Sequence, residues 1–109
     1  MVEKDKKLII EFKRRFSSDI EKHVKKIIVF GSRAKEEAGE DSDLDVVALI
    51  DKENPEVVRY LEDSAYQLMW DHDFKPIISL KVFVESEFTD AVNRGFSFYK
   101  NVLKEGITV

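Results

Sequence analysis

The stretch that decides the fold is Phe30-Gly31-Ser32-Arg33-Ala34-Lys35, followed after six residues by Ser42-Asp43-Leu44-Asp45-Val46-Val47. Before Gly31, the run Ile27, Ile28, Val29 and Phe30 is β-branched and aromatic and ends in glycine, which predicts a buried strand over residues 24–30. After Asp43, the residues Val46, Val47, Leu49 and Ile50 predict a second strand over residues 43–50. Between the two, residues 33–38 have room for a turn or two of helix, and residues 39–42 read as a turn.

Each part of this segment has a chemical use. Gly31 lets the backbone leave a strand sharply and approach a ligand closely. Ser32, at the start of the short helical segment, offers a hydroxyl among free backbone N–H groups, an arrangement suited to phosphate. Asp43 and Asp45 are two apart in a strand, so their side chains share a face. Two carboxylates so close repel unless a cation lies between them. A hard ion such as Mg²⁺ prefers oxygen ligands and retains substrate phosphates as further ones. Taken singly, Gly31-Ser32 reads as an ordinary end-of-strand turn, and the aspartates as a solvated strand edge. Together, between apolar strands, they form a phosphate cradle beside a metal-binding carboxylate pair, the equipment of phosphoryl or nucleotidyl transfer.

Outward from the segment, residues 3–22 carry Leu8, Phe12, Phe16 and Ile20 at spacings of four, with Ile9 beside them. Charges fill the rest, which predicts one amphipathic helix. Asn54-Pro55 supplies an N-cap and a first-turn proline for a helix reaching about residue 72, with Val57, Val58, Leu61, Ala65, Leu68 and Met69 on one face. Pro76 introduces a third strand over residues 77–84. Ile78, Leu80, Val82 and Val84 share its apolar face; Ile77, Ser79, Lys81 and Phe83 share the other. Residues 85–92 and 96–103 read as two more helices, the second stopped by Gly106. This order predicts an α/β (α+β) architecture, a small mixed sheet covered by helices, in a single domain over residues 1–109.

The formal net charge of -4 argues against bulk DNA or RNA binding, which needs a basic face. The absence of cysteine rules out disulfides and thiolate metal sites. The polar start predicts no signal peptide, and no apolar run nears the length of a membrane span. These features predict a soluble, cytoplasmic protein.

Gly31-Ser32, the spacer and Ser42-Asp43-Leu44-Asp45 resemble the signature of minimal nucleotidyltransferases of the DNA polymerase β superfamily. The order of elements fits as well. The tail Phe98-Tyr99-Lys100-Asn101-Val102-Leu103-Lys104-Glu105-Gly106 looks like the end of small stand-alone, antitoxin-like members. The resemblance implies that Asp43 and Asp45 bind Mg²⁺ and carry catalysis. It implies that Gly31 and Ser32, with Arg33 and Ser42, hold the nucleotide, ATP or another NTP. It further implies transfer of an NMP to a hydroxyl acceptor, and a HEPN-type toxin as partner. A third carboxylate on a later strand would activate that hydroxyl.

Two positions depart from the family form. Glu36 stands where a glycine is frequent, two residues after the motif's alanine. The third strand offers Ser79 and Lys81 where a carboxylate is expected, while Asp73 precedes the strand. The alternative reading is therefore a catalytically impaired binding module acting as an antitoxin or regulatory partner. A homodimer through the third strand or through Phe96, Phe98 and Tyr99 is a further one. Among the remaining residues, Arg33 and Lys35 read as triphosphate contacts or as surface charge, and Asp41 as a turn residue or an outer ligand. Lys13, Arg14 and Arg15 are assigned to a solvated helix face, Tyr66 and Trp70 to core or interface, and His23 and His72 to no role.

Overall fold

Six of the seven residues of Leu44–Ile50 (β2) are buried, because this strand lies inside the sheet with helices over both faces. The computed structural model describes residues 1–36, 39 and 41–109. In chain order the other elements are α1 (Glu3–Arg14), α2 (Ser18–Glu21), β1 (Val24–Phe30), α3 (Pro55–Asp71), β3 (Ile78–Val84), α4 (Glu85–Asn93), α5 (Ser97–Glu105) and β4 (Ile107–Thr108). The sheet order is β3-β2-β1-β4. β2 pairs antiparallel with β1 and parallel with β3, and β1 pairs antiparallel with β4. The sheet is therefore mixed, as the sequence predicts.

Alternation along the strands divides the core in two. Leu44, Val46, Ala48 and Ile50 join Ile27, Val29 and Ile78 on one face, under Leu8, Ile9 and Phe12 of α1 and Val57, Leu61, Ala65 and Leu68 of α3. Leu80, Val82 and Val84 pack on this same side. On the other face Ile28, Val47 and Leu49 meet Phe88 of α4 and Val102 of α5, flanked by Phe30, Phe83 and Tyr99. No helix among the described residues is long and apolar enough to cross a membrane.

α3 forms as its caps predict, with the Asn54 side chain accepting from the Val57 N–H. The expected single helix over residues 3–22 does not form. It breaks after Arg14, where Ser17 turns extended and its hydroxyl accepts from the Ile20 N–H, starting α2. Tyr60 of α3 stabilises the break by donating to the Arg15 carbonyl at 2.8 Å and accepting from the Ser17 N–H at 3.2 Å. Nor is Arg15 part of a purely solvated basic face, since it bridges Glu11 and Asp71, both at 2.6 Å. Tyr66 and Trp70 are not core residues either. α3 turns Leu61, Ala65 and Leu68 inward and leaves these two rings exposed, edge-on to each other and to Phe74.

Gly106 ends α5 in an extended conformation (φ -72°), not the left-handed one. It feeds β4, which residue patterning does not reveal. A Cβ at Gly106 would collide with the Val102 carbonyl and with Ile28. Gly106→Ala is expected to destabilise the protein by about 2 kcal/mol through overpacking, read as a lower urea midpoint at unchanged slope.

Candidate functional site

The site lies where β1 ends against the start of β2. Phe30 is the cross-strand partner of Asp45, so Gly31 follows directly beside that carboxylate. Gly31 has φ +77°, in the region where a side chain is strained. A Cβ there would also come within 2.6 Å of Asp45 Oδ2. Glycine is thus required twice over, for the turn and for the carboxylate that lies against it.

Ser32 is exposed, within a run of turns over residues 32–36. The short helix expected over residues 33–38 is absent up to residue 36, and residues 37 and 38 lie outside the described set. Glu36 adopts φ +60°, a left-handed conformation that breaks helical progress. Glycine would be relaxed there, which accounts physically for the residue type that Glu36 replaces.

Arg33 is held by protein groups. Its Nε and Nη2 donate to the two Asp5 oxygens at 3.0 and 2.9 Å, and its Nη1 donates to the Ser42 carbonyl at 2.9 Å. Asp5 is only 1% exposed. The fork thereby ties α1 to both arms of the Gly31–Asp45 segment. Sequence reading missed Asp5, yet its signal was present: it falls in phase with Leu8, Ile9 and Phe12 on the buried stripe of α1. Lys35 likewise pairs with Glu105 of α5 at 2.7 Å, and that hydrogen bond holds the Glu105 carboxyl below its ordinary range.

Asp43 is exposed just before β2, and Asp45 is half-buried within it. Burial raises the Asp45 carboxyl above the usual carboxylate range; Lys81 opposes this, and the nearby charge of Asp43 adds to it. Ser79 stands opposite Asp45 across the parallel pairing, and Lys81 stands opposite Val47. Ser79 thus occupies the strand position beside Asp45 and Lys81 the next position on the same face, as the face assignment from sequence requires. Asp73 lies in the turn before β3 with φ +55°. Among the described residues no group of three or more His, Cys, Asp or Glu side chains could hold a metal.

A partly desolvated carboxylate beside a like charge is short of a cation, and both offer hard oxygen donors. This set fits a Mg²⁺-type ion that takes its remaining ligands from water or phosphate. Beside the carboxylates lie aromatic rings: Phe30 meets Phe98 edge-on at 5.6 Å, and Phe98 meets Tyr99 at 5.2 Å. Elsewhere a cleft of about 440 Å³ is lined by Lys4, Asp5, Arg33, Asp41 and Lys75 among others. Asp43 and Asp45 are not among its described lining residues, so cleft and carboxylates are separate features. His23 and His72 pair with Asp51 (2.9 Å) and Glu11 (3.1 Å), away from the site.

Residues 6–108 match the sequence profile of the family described as nucleotidyltransferase domain. Two Methanocaldococcus jannaschii proteins, each provisionally named a protein adenylyltransferase, are similar along most of their length. One is 34% identical over 104 residues, covering 94% of this chain and 94% of the relative. The other is 32% identical over 90 residues, covering 78% and 88%. In fold, the chain resembles a solved structure described as a toxin-antitoxin with AMP-PNP. The TM-score is 0.55 at 19% identity, covering 95% of this chain and 71% of that one.

Two outcomes test the geometry. Asp5→Ala removes the carboxylate that pairs with the largely buried Arg33 guanidinium and is expected to cost about 3 kcal/mol in urea unfolding. For Asp45, a carboxyl raised above its unfolded value of 3.8 binds protons on folding. Its contribution to stability is complete below that value and is lost as pH rises through the raised one. Asp45→Asn, uncharged throughout, is therefore expected to raise the melting temperature of the metal-free protein at pH 7.5. The gain should vanish as pH falls toward the unfolded value.

Proposed function

The chain belongs to the nucleotidyltransferase domain family, and we propose that it moves an NMP from an NTP, ATP in the first place, to a hydroxyl on another protein. The observation that carries this reading is the Asp45 carboxylate set directly against the Cβ-free face of Gly31, with the charge of Asp43 close enough to act on it. The names of the two relatives support a protein acceptor and an adenylyl group.

In this reading Asp43 and Asp45 hold Mg²⁺. The bound ion supplies charge neutralisation at the phosphates and polarises the transferring phosphoryl centre. Gly31 and the exposed Ser32, in the turn after β1, would meet the terminal phosphates with backbone N–H groups and a hydroxyl. The Arg33 fork keeps the two arms of the segment at a fixed separation, so that phosphate groups and carboxylates meet one ligand together. Ser42 contributes through the carbonyl that Arg33 grips. The family role of a third carboxylate, activating the acceptor hydroxyl, has no acidic side chain beside Asp45 on β3. Transfer is then expected to run about 10²–10⁴-fold below that of a site with a general base.

That same observation favours a second reading, a nucleotide-binding antitoxin that acts by occluding a toxin of the HEPN type. The fold neighbour, a toxin-antitoxin holding AMP-PNP, fits it. The two readings separate experimentally. Mg²⁺ with ATP at about 100 times Kd is expected to add about 2.7 kcal/mol of stability, a rise in melting temperature on the order of 10 °C for a domain of this size; ATP with EDTA should not. ATP labelled at the α-phosphate, incubated with Mg²⁺ and host lysate, is expected to label a protein band that Asp43→Asn abolishes. A thermal shift without a labelled band would leave the antitoxin reading in place and overturn the transferase.

A further inference from the structure

Lys81 is placed where it can act on whatever binds the carboxylates. β3 runs beside β2 in parallel, with Ser79 opposite Asp45 and Lys81 opposite Val47. Alternation sends Leu80 and Val82 into the core under α1 and α3. Ser79, Lys81 and Phe83 stand on the face that carries Asp45. Phe83 is fixed there by Phe88, Phe98 and Tyr99. The exposed Lys81 stem therefore emerges between a packed ring and a small serine, diagonal to Asp45. Its charge reaches that carboxylate, opposing the effect of burial.

The charges of this corner limit what it can hold. Two carboxylates carry two negative charges, and the ammonium returns one. One divalent ion on Asp43 and Asp45 leaves the corner with a net positive charge, complementary to a polyphosphate. A second divalent ion needs another anionic ligand, and among the described residues the strand positions around Asp45 offer a hydroxyl (Ser79), an ammonium (Lys81) and a ring (Phe30). An ammonium at that place also repels the second ion directly.

We propose that the site works with one divalent cation, and that the Lys81 ammonium takes the place of a second by binding a phosphate of the nucleotide. The inference rests on the nucleotide-binding reading above and adds to it a residue and a stoichiometry. Lysine suits the role as a compact point charge with three donors on a flexible stem.

The test is equilibrium dialysis of the full chain against AMP-PNP and Mn²⁺, counting bound nucleotide and bound metal separately. The wild type is expected to hold one Mn²⁺ per AMP-PNP. Lys81→Asp, at an exposed position and checked for an unchanged circular dichroism spectrum, is expected to hold two. Lys81→Met is expected to keep one Mn²⁺ per nucleotide but to bind AMP-PNP on the order of tenfold to a hundredfold more weakly, as loss of a charged phosphate contact implies. Two ions in the wild type, one in Lys81→Asp, or unchanged affinity in Lys81→Met would each overturn the proposal while leaving nucleotide binding intact. A wild type that retains no AMP-PNP would overturn both this proposal and the reading it rests on.

Discussion

Among the described residues Arg33 reaches both oxygens of Asp5 in α1 and the carbonyl of Ser42 ahead of β2, on two separate segments. The rest of the site hangs on this fork. Gly31 and Ser32 lie on one arm of the connection and Asp43 on the other, and the described residues of neither arm form a helix or strand able to hold its own shape. A planar guanidinium with donors on two edges fixes their separation from inside the protein, where water competes least. Burying Asp5 is tolerable only because its two oxygens are matched by two donors. The N-terminal helix is therefore more than a cover for the sheet, since it delivers the carboxylate that sets the width of the site.

The candidate site carries features that cost stability. Gly31 and Glu36 both sit in left-handed conformations, and only the first has the residue suited to it. Asp45 is half-buried beside a like charge. Away from the site such features would be removed at a gain in stability. The space left free over Gly31 is where Asp45 lies, and under the proposed function a cation would offset the two carboxylates. Lys81 moderates the same field, and its position on β3 gives the corner its asymmetry: carboxylates on β2 and its N-terminal approach, an ammonium on the adjacent strand.

Local pattern was enough for the sequence to specify strands β1, β2 and β3, helix α3 and the glycine-to-aspartate segment. The apolar runs, the Asn54-Pro55 cap and the alternation of Ile78, Leu80, Val82 and Val84 act over a few residues, and the structure follows them closely. Family membership was legible for the same reason, because the Gly31-Ser32 and Asp43-Leu44-Asp45 spacing is carried by consecutive residues. Tertiary structure decided what depends on distant partners. Tyr60 satisfies the backbone at Arg15 and Ser17, so the first helix breaks although its apolar spacing continues. Asp5 claims Arg33 across 28 positions of sequence, and Glu105 claims Lys35, so cations that local reading offers to phosphate serve as braces. β4 exists only because β1 has an open edge for it. Lys81 stands diagonal to Asp45 only because β3 adds in parallel at one register. Periodicity reports which side of an element is buried; it carries no information about which buried or charged group waits on the other side, because that is set when the elements pack.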